Sequence, residues 1–299
     1  MKVIDIDKYE NNQINTAIAL GNFDGVHIGH QELISSLVNI SNTNKLLSGI
    51  LLFENHTKNF LESNNIKLLT SNQVKLALFK KLDIDIIFKA RFTNDLRLLS
   101  PEKFVKNILV DILNVKNIVV GFDYRFGYKA SGDINLLKDL GDKYGFHVNI
   151  IEPQYIDKRL ISSTAIRNYI ELGNIEEANL MLGREYSIRG RILKKTKSDI
   201  TPTFYMVNIE IDPEFMLPKT GNYLTSCLSG DEEFLSISSI VHGLESNKTS
   251  IEMYVNKLSP IDFNKTIIIK FIKLMDKYKT VENISKLEEE TFKHIKSKY

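Results

Sequence analysis

One cysteine, Cys227, stands in 299 residues, and a lone thiol excludes an intramolecular disulfide. It fits a reducing cytoplasm, the expected compartment, and reads as a packed strand residue rather than a nucleophile. No apolar run approaches the ~20 residues of a membrane span. Met1–Asp7 mixes acids among its apolar residues, which a signal peptide does not. Charge of one sign is missing too: 39 Lys and Arg against 37 Asp and Glu leave a net +2. No electrostatic footprint therefore argues for nucleic acid or an anionic membrane as partner. Internal repeats and low-complexity linkers are absent.

What remains is ample for two domains, with 43% hydrophobic content to build full cores. Up to about residue 185 strand and helix patterns alternate. Strand-like runs fall at Ala17–Leu20, Ser48–Phe53, Ile84–Phe88, Asn117–Phe122 and His147–Ile151. Helical patterns fall at about 71–82, 101–113 and 133–144, and Ser100 before Pro101 reads as an N-cap followed by Pro at N1. Such alternation implies parallel strands with crossover helices, hence a doubly wound α/β domain whose ligand sits at the carboxyl ends of the strands. From Glu185 only strands are expected: Ser187–Leu193, Phe204–Ile211, Tyr223–Leu228, Glu233–Ile240, Ile251–Leu258 and Thr266–Leu274. Six strands at short spacing read as a small β-barrel, with an amphipathic helix at about 281–296. The pattern changes near Arg184–Tyr186, giving domains 1–184 and 185–299.

The most informative stretch is Gly21-Asn22-Phe23-Asp24-Gly25-Val26-His27-Ile28-Gly29-His30. It follows a buried-strand run and precedes Gln31–Val38, whose apolar residues recur at helical spacing. Strand, glycine-rich turn and helix together aim backbone N–H groups and a helix N-terminus at a phosphate. His27 and His30, three residues apart, can face one phosphate chain and stabilise charge developing on phosphorus. A core turn with two surface histidines is the plainer alternative. A metal pair lacks any Cys or acidic partner at ligand spacing, and no protein metal site is expected.

The stretch resembles the H-x-G-H signature of nucleotidylyltransferases, and its longer form resembles the prokaryotic riboflavin kinase/FAD synthetase family. Further matching segments follow in order: Leu68-Leu69-Thr70, Leu99–Val105, Val120–Gly127 with Ser131-Gly132-Asp133, Ile161–Arg167 and Leu182–Tyr186. The resemblance is close over residues 14–191 and weaker beyond. It implies an FMN adenylyltransferase, joining AMP from ATP to FMN, with Mg2+ arriving mainly on ATP oxygens. His27 and His30 would contact the ATP phosphates, while Gly21, Phe23, Asp24, Gly25 and Gly29 shape the nucleotide and flavin pocket. Ser163 or Thr164 can cap a helix over 166–171, and Arg167 can add a charge-assisted fork to the β and γ phosphates; an ordinary capped helix with a surface Arg is the alternative. Asp123 would bond ATP or a metal-bound water, against a plain turn in which Arg125 pairs with Asp133. The family's F-x-P-H-P appears as Phe53-Glu54-Asn55-His56-Thr57, with both prolines lost.

In that family the second domain is a riboflavin kinase. Its glycine-rich nucleotide segment falls here on Lys195–Asn208, where only Thr201, Phe204 and Asn208 match, and Lys195, Asp199 and Thr203 replace glycines. Glu252 falls where the family carries its kinase base; a solvent-facing strand Glu is its plainer reading. The leading reading is therefore an FMN adenylyltransferase with an eroded kinase barrel. The runner-up is a bifunctional enzyme that also takes riboflavin. A third, from another class, is a flavin-binding regulatory module.

Overall fold

A computed structural model describes residues 1–9, 14–53, 66–197, 204–242, 249–256 and 265–275. The chain divides into two compact units, Met1–Ser162 and Ser163–Tyr299.

In the first unit the strands β1 (Lys2–Asp5), β2 (Thr16–Leu20), β3 (Leu47–Phe53), β4 (Ile86–Ala90), β5 (Val115–Gly121) and β6 (His147–Ile151) form one sheet, ordered β1-β4-β3-β2-β5-β6. Every neighbouring pair is parallel. Side chains alternate across a strand, so β2 feeds two cores. Ala17 and Ala19 pack with Leu33, Ile34 and Leu37 of α1 (Ile28–Asn44) and Phe79 of α2 (Asn72–Lys81). Ile18 and Leu20 pack on the other side with Phe104, Leu109, Leu137 and Leu140. Those four come from α4 (Pro101–Phe104), its π-helical continuation Val105–Ile112, and α5 (Ile134–Tyr144). A short α3 (Asn94–Arg97) precedes them. Helices thus cover both faces, as the alternating pattern requires.

Local signals hold where they were strong. Ser100 Oγ accepts the Lys103 N–H at 3.3 Å with Pro101 at the helix start, and Asp133 caps α5 through the Asn135 and Leu136 N–H groups. Three elements carry no such signal. β1 pairs with the far strand β4 although it offers only two apolar residues, Val3 and Ile4, between Lys2 and Asp5. A two-residue hairpin, β7 (Tyr155–Ile156) with β8 (Arg159–Leu160), follows β6. The third is α7 (Ile175–Leu182).

In the second unit α6 (Ser163–Leu172) and α7 precede a closed antiparallel barrel. Its strands are β9 (Tyr186–Lys197), β10 (Phe204–Ile211), β11 (Gly221–Ser229), β12 (Glu232–His242), β13 (Thr249–Asn256) and β14 (Thr266–Leu274), joined in the order β10-β13-β12-β11-β14-β9. Asn179 ties α7 to the barrel, donating to the Phe271 carbonyl at 2.9 Å and accepting the Tyr186 N–H at 2.6 Å. The all-strand pattern thus begins at Tyr186, while the compact units part at Ser162, because α6 and α7 go with the barrel. Cys227 is fully buried on β11, and burial, with Glu233 adding, pushes its thiol up to about 12. The helix expected at 281–296 lies outside the described residues.

Candidate active site

The chain runs from β2 outward through β3 and β4, then returns to place β5 on the other flank of β2. This reversal makes the carboxyl ends of β2 and β5 a topological switch point, where open α/β sheets bind ligands. Gly21–His27 leaves β2 there, and Phe122–Asp123 leaves β5 at the same edge. Phe23, Gly25 and Val26 all adopt positive φ, at 49°, 87° and 40°. A β-branched residue in that region is a true outlier. Complete burial of the Phe23 and Val26 side chains offsets the strain, Phe23 meeting Phe79 edge-on at 5.7 Å.

His27 caps α1: its Nδ1 accepts the His30 N–H at 3.3 Å, which assigns the imidazole proton to Nε2. Its ring stacks on that of His30, with centroids 3.7 Å apart and an 18° interplanar angle. Phe23 supports His30 from beneath at 5.3 Å. The two imidazoles therefore sit together at the positive end of a 17-residue helix. That arrangement suits an anionic, phosphate-bearing ligand. Gly29 leaves room beside the His27 ring, and Gly21 beside the Phe23 ring.

Asp24 is 2% exposed. Its carboxylate accepts N–H groups of Leu69 and Thr70 and the Thr70 hydroxyl, at 3.1–3.2 Å. The Thr70 hydroxyl in turn accepts the Gly25 N–H at 3.0 Å. Lys75, buried on α2, donates to the Asn22 carbonyl at 3.2 Å. Neither the Thr70 hydroxyl nor Lys75 was singled out by sequence reasoning. The available signal was spacing: Lys75 lies four residues before the buried Phe79, so a charge falls on the inward face.

Asp123 is exposed just past β5. Arg125 does pair with Asp133, at 3.8 Å; that leaves Asp123 at the edge and does not involve it. The segments Leu99–Val105 and Val120–Gly127 meet here, the Phe104 and Phe126 rings lying 6.0 Å apart. His56 lies outside the described residues.

In the second unit α6 runs Ser163–Leu172, so Ser163 and Thr164 lie in its first turn rather than ahead of a helix at 166–171. Three consecutive hydroxyl residues made the helix start ambiguous in the sequence. Thr164 is exposed and Arg167 half-buried on this helix, whose inward residues are Ile166 and Ile170. In the barrel, Asn208 and Glu252 stand directly opposite each other on β10 and β13, with Ser239 the β12 neighbour of Glu252. β9 extends four residues past its expected end, and Lys195, Thr196 and Lys197 pair with Val207, Met206 and Tyr205. Backbone expected to cradle a phosphate is thereby engaged in a ladder.

Among the described residues no group of three or more His, Cys, Asp or Glu side chains could hold a metal ion. No described helix is long and apolar enough to cross a membrane.

The FAD synthetase family model matches residues 9–165. A bifunctional riboflavin kinase/FMN adenylyltransferase of Buchnera aphidicola subsp. Schizaphis graminum is 44% identical over 61% of this chain, and the match spans 59% of the relative's length. One of Listeria monocytogenes is 35% identical over 85% of this chain and 80% of its own. A solved structure titled as a macrolide-efflux protein from Streptococcus pneumoniae superposes with a TM-score of 0.82 at 21% identity, covering 98% of this chain and 97% of that one. At that identity it shows a shared fold.

Proposed function

The chain belongs to the FAD synthetase family, and we propose that it is an FMN adenylyltransferase acting in the cytoplasm. A phosphate oxygen of FMN attacks the α-phosphorus of ATP; the new P–O bond forms as the α–β bridging bond breaks, and pyrophosphate leaves in line. No covalent enzyme intermediate is needed, so positioning and charge stabilisation supply the catalysis. One observation carries this reading: the stacked His27–His30 pair at the start of α1, beside the β2–β5 switch point.

His27 and His30 donate to the ATP phosphates as charge builds in the transition state. Gly21, Phe23, Asp24, Gly25 and Gly29 shape the pocket around them. Ser163, Thr164 and Arg167 are our candidates for the β and γ phosphates, and the transferase domain is drawn at residues 1–184, where the strand–helix alternation ends near Arg184–Tyr186. Asp123, an exposed carboxylate at the ligand edge, suits a water of Mg2+ carried on ATP oxygens, since that ion keeps most of its waters. Mg2+ would supply charge neutralisation for the departing pyrophosphate.

A second reading, that the protein also phosphorylates riboflavin, is favoured by the names of its relatives and by Asn208 facing Glu252. The ladder pairing of 195–197 with 205–207 argues against it. A purely flavin-sensing role would leave the histidine pair unexplained.

The test is FAD and pyrophosphate formation from FMN and Mg-ATP. His27→Ala or His30→Ala should lower turnover by roughly a hundredfold or more, as loss of preorganised charge stabilisation commonly does. Undiminished FAD production by the double variant would remove these residues from the active site.

A further inference from the structure

A single segment, residues 69–75, grips the turn that presents the histidines. At the turn's start Lys75 Nζ holds the Asn22 carbonyl. In its middle the Asp24 carboxylate takes the Leu69 and Thr70 N–H groups and the Thr70 hydroxyl. At its end the Gly25 N–H donates to that same hydroxyl. The hydroxyl spends its only proton on Asp24 and a lone pair on Gly25, so its orientation is fixed. Asp24, Thr70 and Lys75 are each no more than 5% exposed.

We propose that Asp24 and Thr70 are positioning residues rather than substrate ligands, setting the placement of His27 and His30 through the turn between them. A buried carboxylate demands donors, and Asp24 satisfies that demand within the protein. Three donors from one neighbouring segment serve it at 3.1–3.2 Å: the Leu69 N–H, shared between both oxygens, and the Thr70 N–H and hydroxyl, both on Oδ1. The turn also needs holding. Positive φ at the non-glycine residues Phe23 and Val26 persists only where surroundings over-determine it, and His27 is the very next residue. Losing the Thr70 hydroxyl would leave the Gly25 N–H buried without its acceptor, and the turn would shift to rehydrate it. Imidazoles displaced by even part of an ångström then lose their alignment with phosphorus.

The inference rests on the adenylyl-transfer reading for its kinetic part alone. The experiment compares wild type, Thr70→Val and Thr70→Ser by steady-state FAD synthesis, and by NMR of histidine-labelled protein without substrate. Thr70→Val should lower kcat by roughly tenfold to a hundredfold and move the His27 and His30 imidazole signals, while Thr70→Ser rescues both. Should Thr70→Val fail to fold, Thr70→Ala is read in its place. Unmoved imidazole signals overturn the proposal whatever the rate does, and so does undiminished kcat with moved signals. If wild type makes no FAD, the functional reading fails, and the imidazole signals alone decide the positioning role.

Discussion

A Cβ added to Gly29 would lie 3.3 Å from both Cε1 and Nδ1 of His27. That is tighter than ordinary contact, so the imidazole must give way by a few tenths of an ångström. Alanine is otherwise the better helix former, by up to about 1 kcal/mol. Gly29→Ala should therefore keep or slightly raise the melting temperature while FAD synthesis falls by roughly tenfold or more. Thermal melts run beside turnover check both halves; unchanged turnover would show that the His27 ring has slack.

Arg167→Ala should weaken ATP and pyrophosphate binding by about 1.5–3 kcal/mol, the worth of a charge-assisted contact. Binding of FMN alone should change little. Titration calorimetry with each ligand separately decides the matter, and lost FMN affinity with normal ATP affinity would reverse the assignment of substrates.

Riboflavin with Mg-ATP should yield little or no FMN. Lys195 pairs within the β9–β10 ladder, and Asp199 brings a negative charge to the segment that would meet nucleotide phosphates. The decisive contrary result is FMN accumulating as fast as FAD is made, and abolished by Glu252→Gln.

The α5 cap gives a pH-dependent prediction. The Leu136 N–H, helped by the Asn135 N–H and by Arg125, holds the Asp133 carboxyl below the ordinary carboxylate range, against a smaller opposing effect of desolvation. Its folded pKa lies below its unfolded one. The stability it contributes is present above the unfolded value of about 3.9 and is lost as pH falls through the folded value. Asp133→Ala should melt below wild type at neutral pH, with the gap shrinking as pH falls below the unfolded value of about 3.9. A gap that stays constant across that range would assign the loss to something other than the charged cap.

The parts of the site legible in the sequence were those written in consecutive residues. Gly21–His30 announces its turn because glycine, a buried strand before it and an apolar helix face after it are all local. Asp24 is a different case: its residue type was noticed, but its donors lie 45 and 46 positions away. Lys75 hides for a related reason, as a lysine at helical spacing reads as surface until its face is known to be inward. In the barrel, strand alternation located β10 and β13, yet only pairing register places Asn208 opposite Glu252. β1 escaped notice because an edge strand, buried on fewer sides, needs only the short apolar pair Val3-Ile4 between charged residues.

That edge strand has a consequence for handling the protein. Lys2–Asp5 lies along Ile86–Ala90, of which Ile86, Ile87, Phe88 and Ala90 are buried. It acts as a guard rail: without it the β4 backbone would offer an unpaired, apolar template to any other chain. A shortened chain starting at Thr16 should then precipitate, or elute from gel filtration at larger size than the 299-residue chain. Unaltered elution would mean that β4 needs no such guard.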